Sequence, residues 1–148
     1  MMDEVMIRSF EEKDLPGMLA IEEVSFPDPW TEQMFREDIS NEHATYLVAL
    51  RGEEVLGFMG YWQVLDEGHV MNIAVAPAAR RQGIAAALLE RAFAGGEATG
   101  ILYWTLEVRV SNEEAVRLYE REGFVSAGIR PRYYAHPTED ANILWKGK

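Results

Sequence analysis

The sequence contains no cysteine among its 148 residues. Disulfide bonds, thiolate zinc sites and a cysteine nucleophile are therefore excluded. Long apolar runs are missing as well, since the longest of them, residues 84–89, is far shorter than the roughly 20 residues of a membrane helix. No membrane attachment is expected, and the sequence favours a cytoplasmic protein.

Basic residues are scarce, because 14 Lys and Arg stand against 25 Asp and Glu and give a formal net charge of −11 at pH 7. This charge opposes contact with a phosphate backbone, so nucleic acid is not expected as a partner. A basic polypeptide or a small cationic amine would be attracted instead, although solubility alone also accounts for an acidic balance. The histidines His43, His69 and His136 lie far apart without metal-ligand spacing, so no metal is expected.

The remaining composition, 48% apolar and 26% charged residues, is that of an ordinary folded domain, and the length predicts one domain over residues 1–148. Hydrophobic periodicity and turn residues predict strands over residues 5–10, 45–50, 55–65, 69–75, 101–110, 124–134 and 142–145, and helices over residues 11–24, 31–39, 84–93 and 111–123. This mixed order predicts a single α+β domain built on a mostly antiparallel, mixed sheet of about seven strands with about four helices.

Four helix boundaries can be assigned from capping residues. Thr31 is expected to cap the second helix, and Gly95-Gly96 to end the third. Ser111 and Glu114 have the spacing of a capping box at the start of the fourth helix, and Gly123 is expected to close it.

The turn between the strand at 69–75 and the helix at 84–93 reads Arg80-Arg81-Gln82-Gly83-Ile84-Ala85. A helix N-terminus carries unpaired N–H groups and partial positive charge, so this turn can hold a phosphate or diphosphate. Gly83 would let the backbone approach the anion, and the two arginines add positive charge. The turn matches neither the dinucleotide fingerprint nor the P-loop. An ordinary helix start with solvated arginines is the alternative.

Together with the preceding run Met71-Asn-Ile-Ala-Val75, this turn resembles the GNAT acetyltransferase superfamily, in which a strand and a [QR]-x-x-G-x-[GA] turn hold acetyl-CoA. The resemblance implies a GNAT-like fold and acetyl-CoA as the acetyl donor. It implies further that the backbone of Ile73, Ala74 and Val75 binds the pantetheine and the acetyl carbonyl. The other donor-site residues that it implies are Arg80, Arg81, Gln82, Gly83, Ile84, Ala85 and Ala86, with the amides from Arg81 onward holding the diphosphate.

Glu107 stands in a run that otherwise suits a buried strand, where a charged group is costly unless it is paired or functional. Acetyl transfer needs a base, because an α-amine with a pKa near 8 is largely protonated at pH 7, and a glutamate whose pKa is raised by burial fits that role. Tyr119, on the following helix, can protonate the departing thiolate. The alternatives are a Glu107 paired with Arg109 and a Tyr119 that only packs in the core.

The string from Leu106 to Asn112, with Leu118-Tyr119-Glu120 and Gly123-Phe124, resembles the ribosomal-protein-alanine N-acetyltransferases within the GNAT group. That resemblance implies that Glu107 is the general base and Tyr119 the general acid. It also implies that Asn112 contacts the pantetheine.

Two further segments resemble the same family on the acceptor side: Pro29-Trp30 with Phe35, and Arg130-Pro-Arg-Tyr-Tyr134 with Glu139-Asp140-Ala141. Trp30, Tyr133 and Tyr134 are therefore expected at the acceptor site, where the tyrosine hydroxyls would bind the backbone of a peptide N-terminus. Ordinary packing of one ring and exposure of the other is the alternative. Pro131-Arg132 departs from the Arg-Asn of many bacterial relatives, and Ala85 stands where they often have Gly.

The resemblance implies an enzyme that acetylates a protein N-terminus, most closely the N-terminal alanine of a small-subunit ribosomal protein. Since the chain has neither a cysteine nor a G-x-S-x-G elbow, we expect direct transfer in a ternary complex. The alternatives are a broader N-terminal acetyltransferase, an enzyme acetylating a small amine, and a coenzyme A-binding module without turnover. A monomer is expected.

Overall fold

A seven-stranded sheet with helices on both faces forms the part of the chain, residues 4–147, that the computed structural model describes. The strands are β1 (Met6–Ser9), β2 (Ala44–Arg51), β3 (Glu54–Val64), β4 (Glu67–Val75), β5 (Tyr103–Arg109), β6 (Val125–Ala135) and β7 (Thr138–Lys146). The helices are α1 (Leu15–Ser25), α2 (Glu32–Ile39), α3 (Ile84–Ala98) and α4 (Glu113–Arg121). The expected α+β fold with a mostly antiparallel, mixed sheet is confirmed.

The sheet divides between β4 and β5. The strand order is β1-β2-β3-β4-β5-β7-β6, and every neighbouring pair is antiparallel except β4 with β5. These two parallel strands pair only from Glu67↔Tyr103 to His69↔Thr105. Beyond His69, β4 pairs with β3 alone, so the edge of residues 70–75 that is turned toward β5 has no strand partner. A gap therefore opens within the sheet at the end of β4.

The two faces of the sheet bury separate apolar clusters. On one face α3 and α4 supply Leu88, Leu89 and Tyr119 to a cluster with Trp104 and Leu106. On the other face α1 and α2 cover a cluster that includes Met18, Phe35, Val48 and Phe58. Trp104, Leu106 and Val108 of β5 lie in the cluster on the α3–α4 side. Because side chains alternate along a strand, Glu107 faces the opposite, α1–α2 side.

A bulge in β4 redirects side chains toward α1. The register with β3 shifts so that Val70 pairs with Tyr61 and Asn72 pairs with Gly60, which leaves Met71 without a partner of its own. Val70 belongs to the α3-side cluster, whereas Asn72 donates a hydrogen bond to Glu22 of α1. The extra residue thus changes which face the second half of β4 presents.

Several boundaries differ from the sequence-based expectations. Gly95-Gly96 does not end α3, which continues to Ala98. Gly96 is needed for packing instead, because a Cβ on it would lie 2.7 Å from Trp104 Cζ2. Strand β7 is longer than residues 142–145, since it lies between β5 and β6 and pairs with both.

The start of α4 is also assigned wrongly by the capping box. The N-cap is Asn112, whose side chain accepts a hydrogen bond from the N–H of Ala115 at 3.2 Å. The Ser111 N–H donates to Glu139 Oε2 at 2.8 Å. By contrast the Thr31 cap is confirmed, because its Oγ1 accepts from the Met34 N–H at 3.2 Å. Gly123, at φ +99°, directly follows Glu122, the C-cap of α4, and closes the helix as expected. None of the described helices is long and apolar enough to cross a membrane.

Candidate active site

A cleft of about 570 Å³ lies where β4 ends and α3 begins. Its lining includes the expected donor-site residues Ile73, Ala74, Val75, Arg80, Arg81, Gly83, Ile84, Ala85, Ala86 and Asn112, together with Tyr119. Gln82 does not line it, because its side chain turns to Arg51 and accepts a hydrogen bond from Nη2 at 3.0 Å. We call this space the donor cleft.

The turn into α3 presents backbone to the donor cleft. Arg81 and Gly83 both have positive φ, +65° and +76°, and Gly83 is the N-cap of α3. No side chain caps this helix, and its first turn contains no acidic residue. A Cβ added at Gly83 would meet no atom within 4 Å. The start of α3 is therefore an open, amide-rich surface suited to a phosphate anion.

Arg80 acts on the backbone of β4. Its Nε donates to the carbonyl of Val75 at 3.3 Å. This hydrogen bond fixes the turn against Val75, the last residue of β4. Val75 is one of the residues expected to bind the acetyl donor. Positive charge is thereby held at the corner between β4 and α3.

A second cleft, of about 360 Å³, lies on the α1–α2 side of the gap, and we call it the acceptor cleft. Its lining includes Glu22, Trp30, Glu107 and Tyr134. Tyr133 is not part of the lining. It is 44% exposed and packs edge-on against Tyr134, with ring centroids 5.0 Å apart.

The donor and acceptor clefts share a wall. Phe26, Ile73, Asn112, Ala115 and Tyr119 line both of them. Tyr119 is buried and packs edge-on against Phe124 with ring centroids 5.8 Å apart. Burial raises the pKa of Tyr119 well above its usual value, so the phenol keeps its proton at neutral pH.

Glu107 is a paired carboxylate in the acceptor cleft. Its Oε2 lies 2.7 Å from His69 Nε2, and its Oε1 lies 3.7 Å from Arg130 Nη1. The hydrogen bond with His69, aided by the charges of His69 and Arg130, outweighs burial and lowers the pKa of Glu107. The expectation of a pKa raised by burial is therefore wrong, because the carboxylate has partners that stabilise its charge.

Arg109 is not the partner of Glu107. Its guanidinium contacts Glu139 Oε1 at 3.2 Å and donates to the carbonyls of Pro137 and His136 at 2.8 and 3.2 Å. It also lies over the ring of Tyr134 at 4.3 Å. The alternative drawn from the sequence, an ion pair along β5, is thus wrong.

Glu22 is a site residue that the sequence reasoning missed. It is buried on α1, where its carboxylate accepts from the backbone N–H of Trp30 at 2.9 Å and from Asn72 Nδ2 at 2.8 Å. Burial raises the pKa of Glu22 despite these two hydrogen bonds. The available signal was a glutamate at the same helical spacing as Leu15 and Met18, on the face that packs inward.

His69 was missed for a different reason. Its position in β4 indicates only a half-buried strand residue, and its partner Glu107 lies 38 positions later. Within residues 4–147 no group of three or more His, Cys, Asp or Glu side chains has the arrangement of a metal site. The expectation that no metal takes part stays a prediction.

The family model described as the acetyltransferase (GNAT) family matches residues 15–124. The matched segment contains the donor cleft, Glu107 and Tyr119. The chain therefore belongs to the acetyltransferase (GNAT) family, and it is an acetyl-CoA-dependent N-acetyltransferase.

Within that family the similarity is to enzymes of one kind. The chain is 36% identical to the putative [ribosomal protein bS18]-alanine N-acetyltransferase of Bacillus subtilis, over 94% of this chain and 93% of that protein. It is 39% identical to the [ribosomal protein bS18]-alanine N-acetyltransferase of Escherichia coli K12, over 90% and 88%. The crystal structure of the Escherichia coli ribosomal-protein-S18-alanine N-acetyltransferase superposes with a TM-score of 0.89 at 36% identity, covering 97% of this chain and 94% of that one.

Proposed function

We propose that this enzyme transfers the acetyl group of acetyl-CoA to the N-terminal α-amine of a protein, with the N-terminal alanine of a small-subunit ribosomal protein as its main substrate. The observation that carries the proposal is the pair of clefts that meet at Tyr119, with Glu107 on the acceptor side. The names of the relatives in Bacillus subtilis and Escherichia coli support the choice of substrate.

The donor cleft suits the diphosphate and pantetheine of acetyl-CoA. The amides from Arg81 to Ala86 would hold the diphosphate, since no side chain caps α3 and the space beside Gly83 is open. The unpaired edge of β4 at residues 73–75 would bind the pantetheine and the acetyl carbonyl. Asn112 would contribute its amide Nδ2, because its Oδ1 already caps α4. We assign Arg80 and Gln82 supporting roles, through Val75 and Arg51 respectively.

Glu107 and Tyr119 would move the protons of the reaction. Glu107 is ionised at neutral pH and has lone pairs free to accept a proton, although its lowered pKa makes it a weaker base than an ordinary glutamate. Transfer of a proton from an amine of pKa near 8 to an ordinary glutamate costs roughly 5 kcal/mol, so the neutral fraction of the amine, about a tenth at pH 7, would attack the thioester. Glu107 would then take the proton that the nitrogen releases as the C–N bond forms and the nitrogen becomes more acidic. The phenol of Tyr119, kept neutral by burial, would protonate the departing thiolate.

The acceptor peptide would lie between the α1–α2 segment and β6. Glu22 holds the backbone N–H of Trp30 and thereby fixes one wall of the cleft. Burial raises the pKa of Tyr134 to about 12, so its hydroxyl stays a donor for a peptide carbonyl. Tyr133, which is more exposed, would contact residues beyond the first position of the peptide.

The amine would attack the thioester directly, without an acetyl-enzyme intermediate, because the chain lacks a cysteine nucleophile and both clefts open onto the same wall. We also propose that residues 1–148 act as one catalytic domain and as a monomer, without nucleic acid. A ribosomal-protein substrate further suggests a cytoplasmic location.

The proposal is tested by weighing the products formed from acetyl-CoA and four acceptors. These are a basic peptide that starts with alanine, the same peptide with a blocked N-terminus and an internal lysine, the same peptide starting with methionine, and a polyamine. We expect one acetyl group on the alanine peptide and none on the blocked peptide. Initial rates at varied concentrations of both substrates should give intersecting lines.

Each of the other outcomes contradicts a stated part of the proposal. Equal rates for the alanine and methionine peptides would indicate a broader N-terminal acetyltransferase. Acetylated polyamine without acetylated peptide would overturn the protein substrate, and acetylation of the blocked peptide would move the reaction to lysine. Parallel initial-rate lines would indicate an acetyl-enzyme intermediate.

A further inference from the structure

The contact between His69 and Glu107 crosses the sheet where its two halves separate. His69 belongs to the last residue pair between β4 and β5, and Glu107 lies two residues beyond its partner Thr105. The 2.7 Å contact between Nε2 and Oε2 thus spans the mouth of the gap. The Glu107 side chain is 12% exposed and that of His69 is 36% exposed, so the carboxylate has the more shielded position.

Other charged and titratable groups also face Glu107, but their contacts are weaker or indirect. Arg130 of β6 lies 3.7 Å from Oε1, and its side chain is 54% exposed. The phenols of Tyr133 and Tyr134, also on β6, are close enough for the charge of Glu107 to contribute to raising their pKa values. Among the contacts of Glu107 that the structure describes, the one with His69 is the shortest and the largest cause of its lowered pKa.

The two oxygens of Glu107 therefore have different tasks. Because a carboxylate only accepts hydrogen bonds, the His69 ring that bonds to it carries a proton on Nε2. Oε2 is then occupied by this hydrogen bond, whereas Oε1 lies in the longer ion pair with Arg130. A carboxylate fixed at one oxygen cannot rotate freely, which holds the other oxygen in one direction.

We propose that His69 is a positioning residue for the reaction, whose Nε2–H fixes Oε2 of Glu107 and leaves Oε1 to take the proton of the incoming amine. The inference rests on the proposed role of Glu107 as the base. His69 does not itself touch either substrate. It determines how the base is oriented, and its hydrogen bond lowers the pKa of that base.

The test compares two substitutions at His69 that differ in their ability to donate. His69→Gln keeps an amide N–H near the position of Nε2, whereas His69→Ala removes the donor. We expect kcat to fall roughly 10-fold in His69→Ala, with the KM for acetyl-CoA unchanged, and to recover largely in His69→Gln. His43→Ala is the matched control, because His43 is exposed and contacts Trp62 rather than Glu107. Its kcat should equal that of the wild type.

A second readout separates positioning from a general loss of structure. The pKa of Glu107, followed by carboxyl-carbon NMR of the enzyme without substrates, should rise in His69→Ala, since the hydrogen bond that favours the ionised form is lost. The acidic limb of the kcat profile should move to higher pH by a similar amount. In His69→Gln both values should stay near those of the wild type.

The inference is overturned if His69→Ala keeps both the kcat and the Glu107 pKa of the wild type, or if His69→Gln is as impaired as His69→Ala. Glu107→Gln, measured in the same series, should lower kcat by roughly 100-fold. If Glu107→Gln is inactive and His69→Ala is fully active, only the role of His69 is refuted and the role of Glu107 stands. A fully active Glu107→Gln would instead refute the base in the proposed function.

Discussion

At the residue scale, the environments of Glu107 and Tyr119 shift their pKa values in opposite directions. Contact with His69 lowers the pKa of Glu107, and burial raises that of Tyr119. At neutral pH one group is therefore charged and able to accept a proton, while the other is neutral and able to donate one. The ordinary pKa values of a glutamate and a tyrosine already give this division of tasks, and the surroundings move the two pKa values further apart.

Tyr119→Phe isolates the hydroxyl of the proposed acid. The phenylalanine ring keeps the packing against Phe124, so we expect an unchanged melting temperature and a kcat lowered by roughly 10- to 100-fold. Tyr103→Phe is the control, because Tyr103 stacks on Trp145 and lines neither cleft. Steady-state kinetics of both variants measure this effect. A wild-type kcat in Tyr119→Phe would exclude the role of Tyr119 as the acid.

The pH profile offers a check on the same residue. Because burial raises the pKa of Tyr119, its ionisation should not lower wild-type kcat below about pH 10. A loss of activity near pH 8 that disappears in Tyr119→Phe would contradict this assignment.

Site residues that belong to a local sequence motif could be predicted from the sequence. Glu107, Asn112 and Tyr119 stand in one short stretch of chain, and the structure brings all three to the two clefts. The contact between His69 and Glu107 was not predictable, because it depends on the register of two strands that pair over only three residues. The direction of the Glu107 pKa shift depends on that contact and was therefore also missed.

At the element scale, neighbouring glycines in α3 have different surroundings. Gly95 is exposed, and a Cβ on it would meet nothing closer than Tyr61 Oη at 3.7 Å. A Cβ on Gly96 would lie 2.7 Å from the ring of Trp104. That ring is held by Tyr61 and Phe93, with centroids 5.0 and 5.2 Å away, so it has little freedom to move.

Alanine at these two positions should change stability in opposite directions. Gly95→Ala should raise the free energy of unfolding by up to about 1 kcal/mol through helix propensity. Gly96→Ala gains the same propensity but forces the core apart at a cost of about 1–3 kcal/mol, so we expect it to be the less stable of the two by at least 1 kcal/mol. Urea denaturation of both variants measures the difference, and equal stabilities would show that the Trp104 contact imposes no constraint.

Sequence patterns identified the elements better than their ends. The helical and strand periodicities gave the order and approximate location of the elements, because these patterns depend on which face is buried. A glycine pair has no such periodicity and is equally compatible with a helix end and with close packing. Only the tertiary contact between Gly96 and Trp104 distinguishes the two.

At the scale of the whole molecule, ligand binding should stabilise the fold through the donor cleft. The turn at residues 81–86 joins β4 to α3, so coenzyme A bound there would connect the sheet to a core helix. At 100 times its dissociation constant, a ligand that binds only the folded state contributes about 2.7 kcal/mol. For a chain of 148 residues this corresponds to a rise of roughly 5–10 °C in melting temperature.

Thermal denaturation with coenzyme A tests this expectation, and pantetheine, which lacks both the diphosphate and the nucleotide, is the control. We expect pantetheine at the same concentration to give a much smaller shift, since the amides at the start of α3 have no anion to bind. The absence of any shift with coenzyme A would remove the donor cleft from the proposed function. Equal shifts would be consistent with binding in the donor cleft but would exclude the amides at the start of α3 as the source of affinity.

The separation of β4 from β5 determines how two reactants can meet. The donor cleft lies on the side of α3 and α4, the acceptor cleft on the side of α1 and α2, and the missing strand pairing joins them. A long thiol ester and a polypeptide end can therefore approach each other head-on through the sheet. Neither reactant has to pass the other on entry, and the acetylated polypeptide can dissociate while coenzyme A is still bound.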